Sequence, residues 1–253
     1  MPPKSYYSLS PQTYNDQFWW KKDDIEFWKQ IFLNPNSTIL ELAAGTGRLA
    51  LPLIREKLQY KGLELSREYC NFANKQLDNI SNKKHIIQGD MRTFNFNKTF
   101  DNIFIGFNSL LHLLNEEDLI KTLNCIKSHM HKKSKLYIDI FVPHTLFISR
   151  SENKKMKICE FFDSIIMQES TIYEELSYND KNEIMHVTWF YESEGKGYNK
   201  FTFDMKMYYP DTMNRILAEQ NFKILNLWGD YNQSSFNEES NLQIYQCMLN
   251  NEQ

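Results

Sequence analysis

Through residue 145 the sequence alternates short runs of β-favouring residues with longer stretches whose apolar residues recur every three or four positions. No other feature constrains the fold as much, because this alternation is the signature of βαβ units and hence of a parallel sheet flanked by helices. The strands expected are TILEL, YKGLEL, HIIQGD, FDNIFIGF and KLYIDIF. Between them lie the helical segments RLALPLIREKL, REYCNFANKQLDN and EDLIKTLNCIKSHM. Asn115 and Glu116, just ahead of Asp118, supply helix-start chemistry for the last of these.

After Pro143 the period changes. IIMQESTIYEEL, EIMHVTWFYES and NKFTFDMKMYY alternate apolar with polar residues and are separated by the turns YNDKNE and EGKG, which predicts an antiparallel meander. Pro210 then opens a helix over DTMNRILAEQN, and FKILNLWGDY and LQIYQCML add two closing strands. The expected architecture is an α/β, doubly wound, seven-stranded and mostly parallel sheet with an antiparallel β insertion. Residues 1–30 form an aromatic N-terminal helical lid, 31–145 and 210–253 the α/β domain, and 146–209 the insertion, which shapes a substrate pocket. Of the N-terminal aromatics Phe18, Trp19, Trp20 and Phe27, most are expected on the sheet. Tyr14 and Trp19, beside polar neighbours, are candidates for a wall over a ligand.

Composition narrows the partners. The 29 basic and 32 acidic residues give a net charge of -3 and are spread along the chain, so no footprint for a nucleic-acid backbone exists. The basic clusters HMHKKSK (129–135) and NKKMK (153–157) read as solvated turns. Four scattered cysteines without a CxxC pair, and no apolar signal core at MPPKSYYSLS, point to a reduced cytoplasmic chain. No apolar run approaches the roughly 20 residues of a membrane span.

The chemistry gathers at successive strand ends. Ala43, Ala44, Gly45 and Gly47 follow TILEL and let backbone approach a ligand, with the next helix aiming its amides at it. The spacing does not match the GxGxxG of a dinucleotide loop, which argues against a nicotinamide-dependent oxidoreductase. Glu64 closes the second strand, 17 residues beyond Gly47, where an acid can accept both hydroxyls of a ribose. Asp90 closes the third, placed for an exocyclic amine, with Leu65 and Met91 as apolar faces for a ring.

In ILELAAGTGRLALPL, GLELS, QGDM and FDNIFIGFNSLLHL, over about residues 30 to 145, the sequence resembles the class I S-adenosylmethionine-dependent methyltransferases. The first segment resembles their glycine motif, the second their ribose motif and the third their adenine motif. Ala43 stands where the family most often has glycine, and HKKSK replaces its usual turn before the fifth strand. The resemblance implies a Rossmann-like methyltransferase fold and the cofactor S-adenosylmethionine, with S-adenosylhomocysteine as product. It implies cofactor contacts at Tyr14, Trp19, Glu41, Ala43, Gly45, Gly47, Arg48, Glu64, Leu65, Asp90, Met91 and Phe107. Tyr14, Asn108, His112 and Asp139 are the candidates to position or deprotonate the acceptor, and no metal is required. Glu41 either steadies the loop or meets the cofactor's ammonium. Among relatives, the aromatic N-terminus, the FNSLLHLL loop and the late meander look most like small-molecule and natural-product N-methyltransferases acting on glycine, aminosugars or peptide N-termini. The expected acceptor is therefore an amine of a small molecule or short peptide. O-methylation of a metabolite and a non-catalytic cofactor-binding module are the alternatives, and the insertion leaves room for a homodimer.

Overall fold

The computed structural model describes residues 9–80, 83–144 and 154–250. Along the chain run α1 (Pro11–Gln17), α2 (Asp23–Ile31), β1 (Thr38–Leu42), α3 (Ala50–Arg55), β2 (Gln59–Glu64), α4 (Arg67–Leu77), β3 (Ile86–Gln88) and β4 (Phe100–Ile105). There follow α5 (Glu116–Ser128), β5 (Met130–Phe141), β6 (Met156–Asp163), β7 (Gln168–Asn179), β8 (Ile184–Ser193), β9 (Lys196–Lys206), α6 (Pro210–Glu219), β10 (Phe222–Trp228) and β11 (Leu242–Leu249). Two units are present. One comprises Met1–Lys22 and Pro143–Met207, the other Asp23–Val142 and Tyr208–Gln253. The expected 1–30 segment therefore divides at residue 22, and the start of the expected insertion, 146–153, lies outside the described residues.

The α/β unit carries a seven-stranded sheet in the order β10-β11-β5-β4-β1-β2-β3. β11 pairs antiparallel with both of its neighbours, while the pairings among β1 to β5 are parallel. The order reverses between β1 and β4, and at such a switch point the strand ends diverge to leave a crevice. β1 is covered on both faces, and of its inner residues all but the buried Glu41 are apolar: Ile39, Leu40 and Leu42 have no exposed surface. α2 belongs to this unit for the same reason. Trp28, fully buried, lies 4.6 Å from Phe104 and 5.5 Å from Phe32, and Phe27 packs 5.8 Å from Trp228.

Local chemistry sets the helix starts. The Ser66 hydroxyl accepts the Tyr69 amide at 3.2 Å above α4, and Asn115 Oδ1 accepts the Asp118 amide at 2.9 Å above α5. Pro210 is itself the first residue of α6, where its missing N–H is not needed. β5 starts at Met130, five residues earlier than expected. HMHKKSK is thus largely strand rather than solvated turn, since Ser134 is fully buried and donates to the Phe100 carbonyl at 2.6 Å.

The other unit holds α1 and a four-stranded antiparallel sheet in the order β6-β7-β8-β9. Three of these strands match the expected meander. The fourth, β6, starts within the stretch read as a solvated basic turn. Its two-residue period is broken by an irregularity between Lys157 and Cys159, and as an edge strand it exposes Met156, Ile158 and Phe162 alongside its charged residues. Among the described residues no helix is long and apolar enough to cross a membrane.

Candidate active site

The loop after β1 carries three left-handed residues, Ala43 at φ 60°, Gly45 at 56° and Gly47 at 80°. Their surroundings differ. A Cβ on Gly47 would lie 3.1 Å from Ala73 Cβ and 3.2 Å from Ile86 Cδ1, so this glycine lets the loop pack on α4 and β3. A Cβ on Gly45 would meet nothing within 4 Å, and that side of the loop is open. The loop is fastened to β2 by the Ala44 amide, which donates to the Leu63 carbonyl at 2.9 Å. α3 starts only at Ala50, two residues later than expected, so Arg48 and Leu49 belong to the loop.

Two acids stand beneath it. Glu64, 4% exposed, accepts the Gly45 amide on Oε2 at 2.9 Å and the Ser66 amide on Oε1 at 2.7 Å. Burial raises its pKa, and these backbone N–H groups oppose the shift. Glu41, 5% exposed, accepts the Tyr60 hydroxyl. Its pKa is pushed up to about 8 by burial, against the pull of that hydrogen bond and of Arg48. Tyr60 thus answers half of the question over Glu41: its carboxyl braces β1 against β2 beneath the loop.

At the end of β3, Asp90 is not a bare acceptor. Arg92 Nε donates to it at 3.0 and 3.1 Å and Nη2 at 2.6 Å, while Nη1 reaches Asp118 at 2.8 Å. This pairing holds the Asp90 carboxyl below its ordinary pKa. Arg92 lies two places along in QGDMR, yet no motif in the sequence singles it out. Leu65 and Met91 are both half-buried.

Arg48 departs furthest from its expected role. Its guanidinium grips Asp24 of α2 through two bonds of 2.8 and 2.5 Å and lies 5.0 Å from the centre of the Phe107 ring. Asp24 is fully buried. The pair therefore joins α2, the glycine loop and the loop after β4.

That second loop has a fixed shape. Phe107 and Asn108 both adopt left-handed backbone, at φ 49° and 63°. Asp139, 1% exposed at the end of β5, accepts the Phe107 amide at 3.1 Å and the Tyr231 hydroxyl at 2.9 Å, both on Oδ2. The Asn108 side-chain oxygen accepts the Phe141 amide at 2.8 Å. Asp139 and Asn108, expected to meet the acceptor, thus anchor the turn. His112 ends the short 3-10 turn Ser109–His112 and is half-buried. Tyr231 comes from the loop between β10 and β11, and no motif announces it.

Tyr14 and Trp19 belong to the other unit. Tyr14 packs edge-on against Phe18 at 5.0 Å, and Trp19, 61% exposed, donates from Nε1 to the Glu160 carbonyl at 3.1 Å.

Residues 39–133 match the methyltransferase domain family. YqeM of Bacillus subtilis (strain 168), provisionally named a methyltransferase, is 25% identical over 212 residues, which are 81% of this chain and 81% of that one. The fold is similar to that of an S-adenosylmethionine-dependent methyltransferase from Clostridium acetobutylicum ATCC 824, with a TM-score of 0.74 and 19% identity over 90% of this chain and 91% of that one. It is also similar to the sugar N-methyltransferase KedS8 from Streptoalloteichus sp. ATCC 53650, with a TM-score of 0.64 and 14% identity over 95% of this chain and 90% of that one. The matched domain lies on the strands that carry the glycine loop, Glu64 and Asp90, and the protein is an S-adenosylmethionine-dependent methyltransferase whose fold is similar to that of such enzymes.

Proposed function

We propose that the protein methylates an amine of a small molecule or short peptide, and that the strand ends of the α/β unit hold the cofactor. The open side of Gly45 and the acids behind it suit a ligand with vicinal hydroxyls and a positive charge. An ionised carboxylate offers about four acceptor positions. Glu64 commits one on each oxygen to backbone amides and retains others for a ribose. Asp90, its carboxylate held by the side chain and the backbone amide of Arg92, is assigned to the adenine edge between Leu65 and Met91. Ala43, Gly45 and Gly47 shape the cradle, Glu41 and Arg48 brace it, and Phe107 borders it.

When bound, S-adenosylmethionine supplies an electrophilic methyl on a sulfonium. The chain's task is then to aim a nucleophile in line and keep the approach short. The state of Asp139 carries the preference for an amine. It is buried and accepts the Phe107 amide and the Tyr231 hydroxyl on Oδ2, which in this reading makes it a loop-positioning residue. A neutral amine needs no base, whereas a hydroxyl does. The likeness in fold to KedS8, a sugar N-methyltransferase, supports the same choice.

The test is a screen of amines and alcohols for mass gained from methyl-labelled cofactor, with His112→Gln in parallel. Amine products that persist in His112→Gln are expected. Products methylated only at oxygen, and lost in that variant, would instead assign His112 as a base. Turnover with no acceptor in the screen, together with tight cofactor binding, would favour a binding module.

A further inference from the structure

Glu41 is a buried acid without a counter-ion. It stands in β1 opposite Gly62 of β2 and Phe104 of β4, and is 5% exposed. A Cβ on Gly62 would lie 2.8 Å from the Tyr60 hydroxyl and 2.8 Å from Ala44 Cβ. The missing side chain lets that hydroxyl reach the Glu41 carboxyl and lets the glycine loop settle onto the strand pair. The carboxyl thus lies one layer beneath the loop.

Four ionisable side chains face it. Tyr60 of β2 donates to it, Glu64 stands at the end of the same strand, Arg48 comes from the loop and Asp24 from α2. Arg48 is bonded to Asp24 through Nη1 at 2.8 Å and Nη2 at 2.5 Å, so its positive charge arrives with a negative one. Glu64 adds like charge when ionised. Among the described residues the Tyr60 hydroxyl is the one hydrogen-bond partner of Glu41, and no Lys, Arg or His makes an ion pair with it. A carboxylate buried with one donor and no cation is disfavoured, so the group holds its proton, and its pKa is pushed up to about 8 by burial.

A cation above the loop reverses this balance. At neutral pH S-adenosylmethionine carries a sulfonium, an ammonium and a carboxylate, whereas S-adenosylhomocysteine lacks the sulfonium and has no net charge. Near a buried acid such a charge acts through a medium of low permittivity, where its effect is far larger than in water. We infer that Glu41 is the residue by which the site tells the cationic cofactor from its neutral product: it yields its proton to solvent when the cofactor's cation occupies the loop, and keeps the proton beside the product. This inference rests on the reading above in which the strand ends of the α/β unit hold the cofactor. As a carboxylate Glu41 favours the reactant, and as a neutral acid it leaves the product free to depart. It acts through charge from beneath the loop, as a specificity residue and not as a catalytic one.

Isothermal titration of the full chain with S-adenosylmethionine and with S-adenosylhomocysteine, in pairs of buffers that differ in heat of ionisation, counts the protons exchanged on binding. Near neutral pH wild type is expected to release roughly one proton more than Glu41→Gln on binding S-adenosylmethionine, and no more than that variant on binding S-adenosylhomocysteine. The cofactor's own amine and Glu64 titrate in both proteins, so the excess belongs to Glu41. It is expected to fade above about pH 8, where Glu41 has lost its proton before the ligand arrives. Tyr60→Phe removes the donor that favours the carboxylate and is expected to carry the release to higher pH. Cofactor binding with equal release by wild type and folded Glu41→Gln overturns this inference alone, and so does an excess just as large with the product. A release profile that does not move upward in Tyr60→Phe also overturns it, and decides the matter should Glu41→Gln fail to fold. Absence of cofactor binding by wild type would refute the cofactor reading, and this inference with it.

Discussion

Glu64 accepts the Gly45 amide at 2.9 Å, so the acid at the end of β2 and the open glycine after β1 form one hydrogen-bonded unit. The Ser66 amide occupies the second oxygen at 2.7 Å. Glu64→Gln would set its NH2 group against one of these donors and remove the charge, at a cost of about 1–3 kcal/mol for the donor left unpaired. Affinity for S-adenosylmethionine is expected to fall at least about tenfold by isothermal titration, with the acceptor KM unchanged. An unaltered cofactor Kd in Glu64→Gln, or in Glu64→Ala, would end the assignment of this acid to the cofactor.

Asp24 and Arg48 make a second junction, a two-bonded ion pair whose carboxylate is fully buried and whose guanidinium is 20% exposed. Removing one partner of a buried pair costs about 3–5 kcal/mol, and the partial exposure of Arg48 moves the expectation for Asp24→Asn towards the lower end. Arg48→Lys keeps the charge but not the fork, so it is expected to fall between wild type and Asp24→Asn in urea unfolding. If Arg48→Lys matches wild type while cofactor binding collapses, Arg48 touches the ligand and the bracing role is wrong.

The strands and their order of use were legible because central parallel strands must be apolar and their loops must carry the small residues. Ile39, Leu40, Leu42 and Gly45 announce themselves in that way. What the sequence hid is pairing between distant positions. Nothing in the chain links Arg48 to Asp24, Tyr60 to Glu41, or Tyr231 to Asp139, because each pair is brought together by α2, by the β1–β2 register or by the returning C-terminal strands. Residues chosen as ligands for being polar near a strand end were therefore of two kinds. Glu64 holds the glycine loop itself, whereas Asp139 accepts the Phe107 amide and the Tyr231 hydroxyl on Oδ2. β6 was missed for a local reason, since the irregularity at Lys157 breaks the period by which a strand is recognised.

The loop's left-handed residues predict opposite effects of two small substitutions. Ala43 sits at φ 60°, a conformation that costs an L residue about 1–2 kcal/mol, of which the flexibility of glycine returns about 0.5–1 kcal/mol to the unfolded chain. Ala43→Gly is thus expected to stabilise the protein by about 0.5–1 kcal/mol. Gly47→Ala meets both the backbone penalty at φ 80° and the Ala73 methyl at 3.1 Å, and is expected to destabilise it by about 2 kcal/mol or more. Thermal and urea unfolding of the two variants provide the measurement. A destabilised Ala43→Gly would mean that the methyl contributes more by packing than the backbone loses.

Glu41 gives a pH dependence of definite sign. Its ordinary carboxyl value is 4.5, and burial pushes it up to about 8 in the folded chain despite the Tyr60 hydroxyl and Arg48, with Asp24 and Glu64 adding to the rise. Between these values the unfolded chain releases the proton and the folded chain keeps it. The unfolded state then binds fewer protons, and stability falls as pH rises through this window, by at most about 1.4 kcal/mol per pH unit. Above about pH 8 the group is ionised in both states and contributes no further slope. Gln at this position can still accept the Tyr60 hydroxyl but cannot titrate. Urea midpoints of wild type and Glu41→Gln between pH 5.5 and 8.5 should therefore diverge, the variant gaining on wild type as pH rises. Glu64, whose pKa is also raised by burial, contributes its own slope to both proteins, so the difference between the two curves isolates Glu41. Parallel curves would mean that Glu41 is ionised in the folded protein throughout, which would require Arg48 to turn from Asp24 towards it.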